Sequence, residues 1–96
     1  MRPMVEQQAE GTFEIINKLG LHARAASRLV QVASRFPCEV MAGREGQEAN
    51  AKSVMGVLLL CGAQGTRITI RTSGEQASEA LKAIGDLIAD KFGEGE

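Results

Sequence analysis

Two hydrophobic periods alternate along this chain. Over residues 12–16 the apolar side chains Phe13 and Ile15 fall on every second position, which predicts a strand with one buried face. Residues 17–21 break that pattern, and Gly20 supplies the freedom for a tight turn. The period then becomes helical. Ala26, Leu29, Val30, Ala33 and Phe36 recur at spacings of three and four over residues 23–35, with Arg24, Arg28, Gln31 and Arg35 on the other face. Pro37 stops this helix, because a residue preceding proline is pushed out of helical backbone angles. Residues 38–42 alternate again, 43–46 form a turn with glycine at both ends, and 47–50 make a short polar strand pairing back near a sheet edge. Residues 54–61 are nearly all apolar, so period alone leaves strand and helix open. Asn50 and Ser53 just upstream are helix-capping types and favour a helix. Residues 67–71 alternate cleanly as a strand. Residues 75–92 carry Ala77, Ala80, Leu81, Ile84, Leu87 and Ile88 on one helical stripe, with Gly93 placed to end it.

The predicted order is βαββαβα. Helices with one apolar stripe need one apolar sheet face, so the expected architecture is a two-layer α+β domain. A four-stranded antiparallel sheet is covered on one side by three helices. Residues 1–11 are polar and aperiodic and read as a flexible N-terminal extension. Residues 12–92 form the single domain, and 93–96 an acidic C-terminal tail. At 96 residues the chain buries a core without staples, and 44% hydrophobic content is that of a folded domain rather than a disordered one.

Net charge is −1, which gives no global pull towards nucleic acid or anionic lipid, and there is no Trp or Tyr to stack on bases. No nucleic-acid partner and no membrane insertion are therefore expected. No signal-peptide pattern and no long apolar run is present, so the expected location is cytoplasmic, with Cys38 and Cys61 as free thiols. One histidine and no Cys-x-x-Cys argue against a metal site, and nothing calls for a cofactor. Gly43-Arg44-Glu45-Gly46 matches a nucleic-acid-clamping Gly-x-x-Gly loop. Such a loop joins two helices, whereas this one joins two strands.

The charge is unevenly distributed. Between Glu14 and Glu39 there is no acidic residue, while Lys18, Arg24, Arg28 and Arg35 are basic. The sole histidine, His22, lies in this stretch at the start of the first helix. Its surroundings there would include unpaired backbone N–H groups, the positive end of a helix dipole and the forked donors of Arg24. Imidazole titrates near neutrality and its neutral form is a nucleophile, so His22 suits reversible attachment of a phosphoryl group. A plain helix cap is the competing reading, and the residues by themselves leave both open.

Gly20-Leu21-His22-Ala23-Arg24-Ala25-Ala26 resembles the active-site signature of the HPr family, the histidine phosphocarriers of the bacterial phosphoenolpyruvate-dependent phosphotransferase system. Asn50-Ala51-Lys52-Ser53-Val54-Met55-Gly56-Val57 is similar to the family's regulatory-serine segment, and the likeness runs over residues 12–92. The resemblance implies an open-faced β-sandwich. It implies a carrier rather than an enzyme with its own turnover, in which His22 accepts phosphate from phospho-enzyme I and passes it to EIIA-type domains. Arg24 would then contact the phosphoryl group. Ser53 matches the serine modified by HPr kinase/phosphorylase, against the simpler role of capping its helix. Leu21, Ala25, Arg28, Val54 and Met55 would form a partner-binding patch, apolar with a basic rim, on a monomer. The family usually has proline where this chain has Ala25, which puts transfer rates or partner preference in question. Two other readings are a nitrogen-branch phosphocarrier of the same chemistry and a binding protein acting through Ser53 on transcription factors or enzymes.

Overall fold

The computed structural model describes residues 7–94. The remaining parts of the expected extension and tail, residues 1–6 and 95–96, lie outside the described residues. The elements run β1 (Gln8–Glu14), α1 (Ala23–Ala33), β2 (Glu39–Arg44), β3 (Gln47–Asn50), α2 (Val54–Leu59), β4 (Arg67–Ser73) and α3 (Ala77–Ala89). A 3₁₀ turn follows at Lys91–Gly93. The strands form one antiparallel sheet in the order β1-β4-β2-β3. One face of that sheet carries the helices and the other is open, the two-layer α+β arrangement that the hydrophobic periods predict. No helix among the described residues is long and apolar enough to cross a membrane.

Inward positions alternate small and large. Ile70 of the central strand stands between Gly11 of β1 and Ala42 of β2, and Phe13 stands opposite Ile68. The Phe13 ring needs space, and two glycines provide it. A Cβ on Gly85 of α3 would come within 2.7 Å of that ring, and one on Gly11 within 3.1 Å. One polar side chain is buried in the sheet: the Thr72 hydroxyl donates to the Ala77 carbonyl at 2.7 Å, tying the start of α3 to β4.

Both ends of the expected domain need correction. β1 begins at Gln8, so residues 8–11 belong to the sheet rather than to a loose extension; they pair with Ser73, Thr72, Arg71 and Ile70. Their inward residues are Ala9 and Gly11, too small to write an apolar alternation into the sequence. At the other end α3 stops at Ala89 rather than continuing to Phe92. Lys91 and Phe92 both adopt φ 55 and Gly93 follows at φ 77, so the chain reverses over three left-handed residues. Left-handed backbone costs about 1–2 kcal/mol for a residue with a Cβ. Lys91 and Phe92 both incur this cost, and complete burial of the Phe92 side chain, worth about 1.5–3 kcal/mol, offsets a large part of it.

Candidate functional site

The site is built where β1 hands over to α1. Ile15 extends the pairing past the strand, with its N–H donating to the Thr66 carbonyl at 2.8 Å and its carbonyl accepting from Gly65 at 2.7 Å. The chain then turns over residues 17–20, and the Gly20 N–H returns to the Asn17 carbonyl at 3.2 Å. Gly20 has φ 68, and a Cβ there would lie 2.5 Å from the Gly62 carbonyl oxygen. Its glycine is therefore required twice, for angle and for space. One residue on, the Leu21 N–H donates to that same Gly62 carbonyl at 2.7 Å, which fixes where α1 starts.

His22 is the residue immediately before α1. Its backbone is extended, and its carbonyl accepts the first helical bond, from Ala26 at 2.8 Å. Its Nδ1 accepts the Arg24 backbone N–H at 3.3 Å. The imidazole thus does the capping work that a serine or aspartate oxygen usually does. The cap reading and the site reading are compatible, because capping is what holds the Nδ1 lone pair against the helix amino end. No acidic residue lies in the first turn of α1. The negative partner comes instead from the far end of the chain. The Glu94 carboxylate takes a hydrogen bond from Nε2 of His22 and, on its other oxygen, one from Nδ2 of Asn17 at 2.9 Å.

Asn17 is buried and ties the site together, since Nδ2 also donates to the Gly20 carbonyl at 2.8 Å. Burial pushes the Glu94 carboxyl up. The hydrogen bonds from Asn17 and His22 and the charges of His22 and Arg24 outweigh that, so its pKa lies below its ordinary 4.5. Arg24 is exposed beside this group. Arg28 reaches across to donate to the Phe92 carbonyl, pinning the turn that delivers Glu94.

Ser53 stands at the start of α2, which packs against α1. Its hydroxyl accepts the Gly56 N–H at 3.1 Å. The preceding Lys52 is turned away, donating to the Phe36 carbonyl at 2.8 Å.

The expected partner patch is only half assembled. Met55 is exposed, at 73%, and Val54 is half-buried. Leu21 and Ala25 are core residues, 6% and 0% exposed. They cannot present a docking surface, because both face inward where α1 meets the sheet and the Gly62 loop; a Cβ on Gly62 would meet Leu21 at 2.7 Å. Arg28 is occupied by the C-terminal turn rather than standing free on a rim. Among the described residues the large exposed apolar side chains are instead Met55 and Leu59, one helical turn apart on α2, and Ile16 and Leu19 in the turn before His22. Sequence reading also missed Asn17 and Glu94. The one available signal for Glu94 was an apolar Phe92 followed by Gly93, which implies a chain returning to the core.

Comparison with known proteins shows the family and the fold. The family model described as "PTS HPr component phosphorylation site" matches residues 9–90. Phosphocarrier protein HPr of Pseudomonas aeruginosa is 51% identical over 83 residues, covering 85% of this chain and 92% of that protein. Its counterpart in Neisseria meningitidis is 48% identical over 85 residues, covering 88% and 96%. Among solved structures, HPr-C-His of Thermoanaerobacter tengcongensis superposes with a TM-score of 0.87 at 44% identity, covering 90% of this chain and 97% of that one. An HPr dimer from the same organism gives 0.73 at 39% identity, covering 98% and 100%. A single histidine held at a helix amino end, on this sheet order and within this level of identity, places the chain in the HPr family of phosphotransferase-system phosphocarriers.

Proposed function

We propose that His22 is the residue that carries the phosphoryl group, taking it from phospho-enzyme I and handing it to EIIA-type domains. The observation that supports this most directly is the orientation of the ring. Nδ1 faces the amino end of α1, and Nε2 is occupied by Glu94. The lone pair of Nδ1 attacks phosphorus, and the bond from phosphorus to the donor breaks with its electron pair leaving on the donor. The Arg24 N–H that Nδ1 accepts is then released to a phosphoryl oxygen. The Arg24 guanidinium adds charge-assisted donors, and Ala25 keeps a backbone N–H that proline would lack. Charge is stabilised without a second covalent bond, so the group moves on to the next acceptor. The protein works as a transfer intermediate in the cytoplasm and has no turnover of its own.

Incubation with phosphoenolpyruvate and enzyme I, followed by mass spectrometry, tests this. One acid-labile phosphoryl group is expected, and His22→Ala is expected to carry none. Acid-stable modification, or modification persisting in His22→Ala, would overturn the assignment. A regulatory role for Ser53 is the second part of the reading. It is favoured by the position of Ser53 beside the exposed Met55 and Leu59, where a phosphate would change the character of an apolar surface. An HPr kinase is expected to modify the parent and not Ser53→Ala.

A further inference from the structure

We propose that Glu94 is a positioning residue for phosphoryl transfer: carried on the strap of residues 90–94, it keeps the proton on Nε2 of His22 while Nδ1 gains and loses phosphate. This rests on the carrier reading and adds a residue to it. The strap is held at several points. Phe92 is fully buried, Arg28 of α1 donates to the Phe92 carbonyl, and Asn17 donates to Glu94. The three left-handed residues before Glu94 turn the chain away from the α3 axis and back to His22. Strained backbone of this kind persists where the surroundings over-determine it, and here its outcome is the delivery of one carboxylate to one ring nitrogen.

The chemistry follows from where the electrons go. When Nδ1 bears phosphate, the ring holds its proton on Nε2 and carries positive charge. On transfer, the P–N bond breaks and its electron pair returns to Nδ1, leaving neutral imidazole with the same Nε2 proton. No proton changes hands, provided Nε2 keeps its own. A ring that lost that proton would have to depart as imidazolate, a far poorer leaving group. The Glu94 carboxylate favours the protonated, cationic phospho-ring by charge and by hydrogen bond, so it extends the pH range over which the group is donated. The other charged groups at this face are Arg24, beside the ring at the start of α1, and Arg28, committed to the strap. Lys18 lies exposed on the turn before the site. Among the described residues, Glu94 supplies the carboxylate hydrogen-bonded to the ring.

The test uses the full-length chain and its E94A and E94Q variants, each phosphorylated by phosphoenolpyruvate and enzyme I. Return of phosphate to enzyme I in the presence of pyruvate is followed from about pH 6 to pH 9, with the His22 ring nitrogens observed by NMR. In the parent, donation is expected to fall off only at the alkaline end. In E94A the fall should begin about one pH unit lower, with Nε2 losing its proton over the same interval. In E94Q, which keeps an acceptor and lacks the charge, the shift should be smaller. Coincident profiles in all three proteins would overturn the inference. So would an E94A protein that exchanges phosphate faster at every pH, since the carboxylate would then be competing with the phosphoryl group. A parent that takes up no phosphate at all would reject the carrier reading itself, a result distinct from either.

Discussion

His22 and Ser53 occupy the same place in their helices. Each sits one residue before the first turn, each has extended backbone, and each accepts a main-chain N–H through its side chain, from Arg24 and from Gly56 respectively. Neither helix has an acidic residue in its first turn. What separates them is the rest of the molecule. Around His22 the fold gathers a buried amide, a carboxylate and an arginine, and the histidine side chain is only 26% exposed. Around Ser53 the adjacent cation, Lys52, is spent on the Phe36 carbonyl, and the exposed apolar side chains of Met55 and Leu59 stand on the same short helix. A shared local motif therefore supports two chemistries. A neutral imidazole is a nucleophile near neutral pH, whereas a serine hydroxyl needs a base to become one. The Ser53 hydroxyl is engaged with the Gly56 N–H, and the Glu48 carboxylate lining the same groove is paired with Arg71. On the proposed reading His22 would exchange phosphate with a partner directly. On the same reading Ser53 would act only as a substrate, its modification depending on a kinase.

The largest effect expected from this contrast comes from deleting one side chain at a time. His22→Ala should take up no phosphate from enzyme I, while Ser53→Ala should take it up within about twofold of the parent rate, a difference well under 1 kcal/mol. Comparable losses in both variants would mean that the two helix starts act as one site. Gly20→Ala should come next. Its Cβ would collide with the Gly62 carbonyl, and its φ of 68 disfavours any side chain. A loss of about 2–3 kcal/mol in denaturant unfolding is expected, together with slowed phosphorylation of His22, because the turn that sets the start of α1 must move. Equal stability of Gly20→Ala and parent would show that the turn is not what places the histidine.

Ser53→Ala should also measure the cap that α2 relies on. Removing the acceptor for the Gly56 N–H should lower stability by about 1 kcal/mol. The unfolding midpoint of Ser53→Ala checks this, and an unchanged midpoint would mean that the hydroxyl is idle in the unmodified protein.

These elements differ in how far the sequence announces them. α1 and α3 write their buried faces as apolar residues at three-and-four spacing, and β4 as Ile68 and Ile70 between polar neighbours, so all three were legible. The opening of β1 was not, because Ala9 and Gly11 face inward without being large enough to register as hydrophobic. The end of α3 was hidden for the opposite reason. Phe92 lies four residues past Ile88 and so continues the helical period, yet it reaches the core through a left-handed turn. His22 and Arg24 could be named from residue type and from a family signature. Glu94 could not, since it lies 72 residues further along and joins the site only through chain reversal. Leu21 and Ala25 show the converse error. The family resemblance implied that they share a surface with His22, but successive residues entering a helix point in different directions, and these two are buried in the core.

Acid should separate the two helix starts by the smallest but most specific effect. Glu94 has its carboxyl pKa lowered in the folded state, so the contact with His22 and Asn17 stabilises the protein fully above the ordinary carboxylate value of 4.5. That contribution is lost as pH falls from there through the lower folded value. The sign follows from protonation, which removes the acceptor charge that both donors use. The Ser53 cap has no titrating partner of this kind, since a hydroxyl accepts from a backbone amide regardless of pH in this range. The side-chain amide resonances of Asn17 should therefore move with acidification below about pH 4.5, while the backbone amide of Gly56 stays in place. Glu94→Gln should abolish the Asn17 movement and leave Gly56 unaffected. If both resonances moved together, the transition would be one of global acid unfolding, and the carboxylate would not distinguish the amino end of α1 from that of α2.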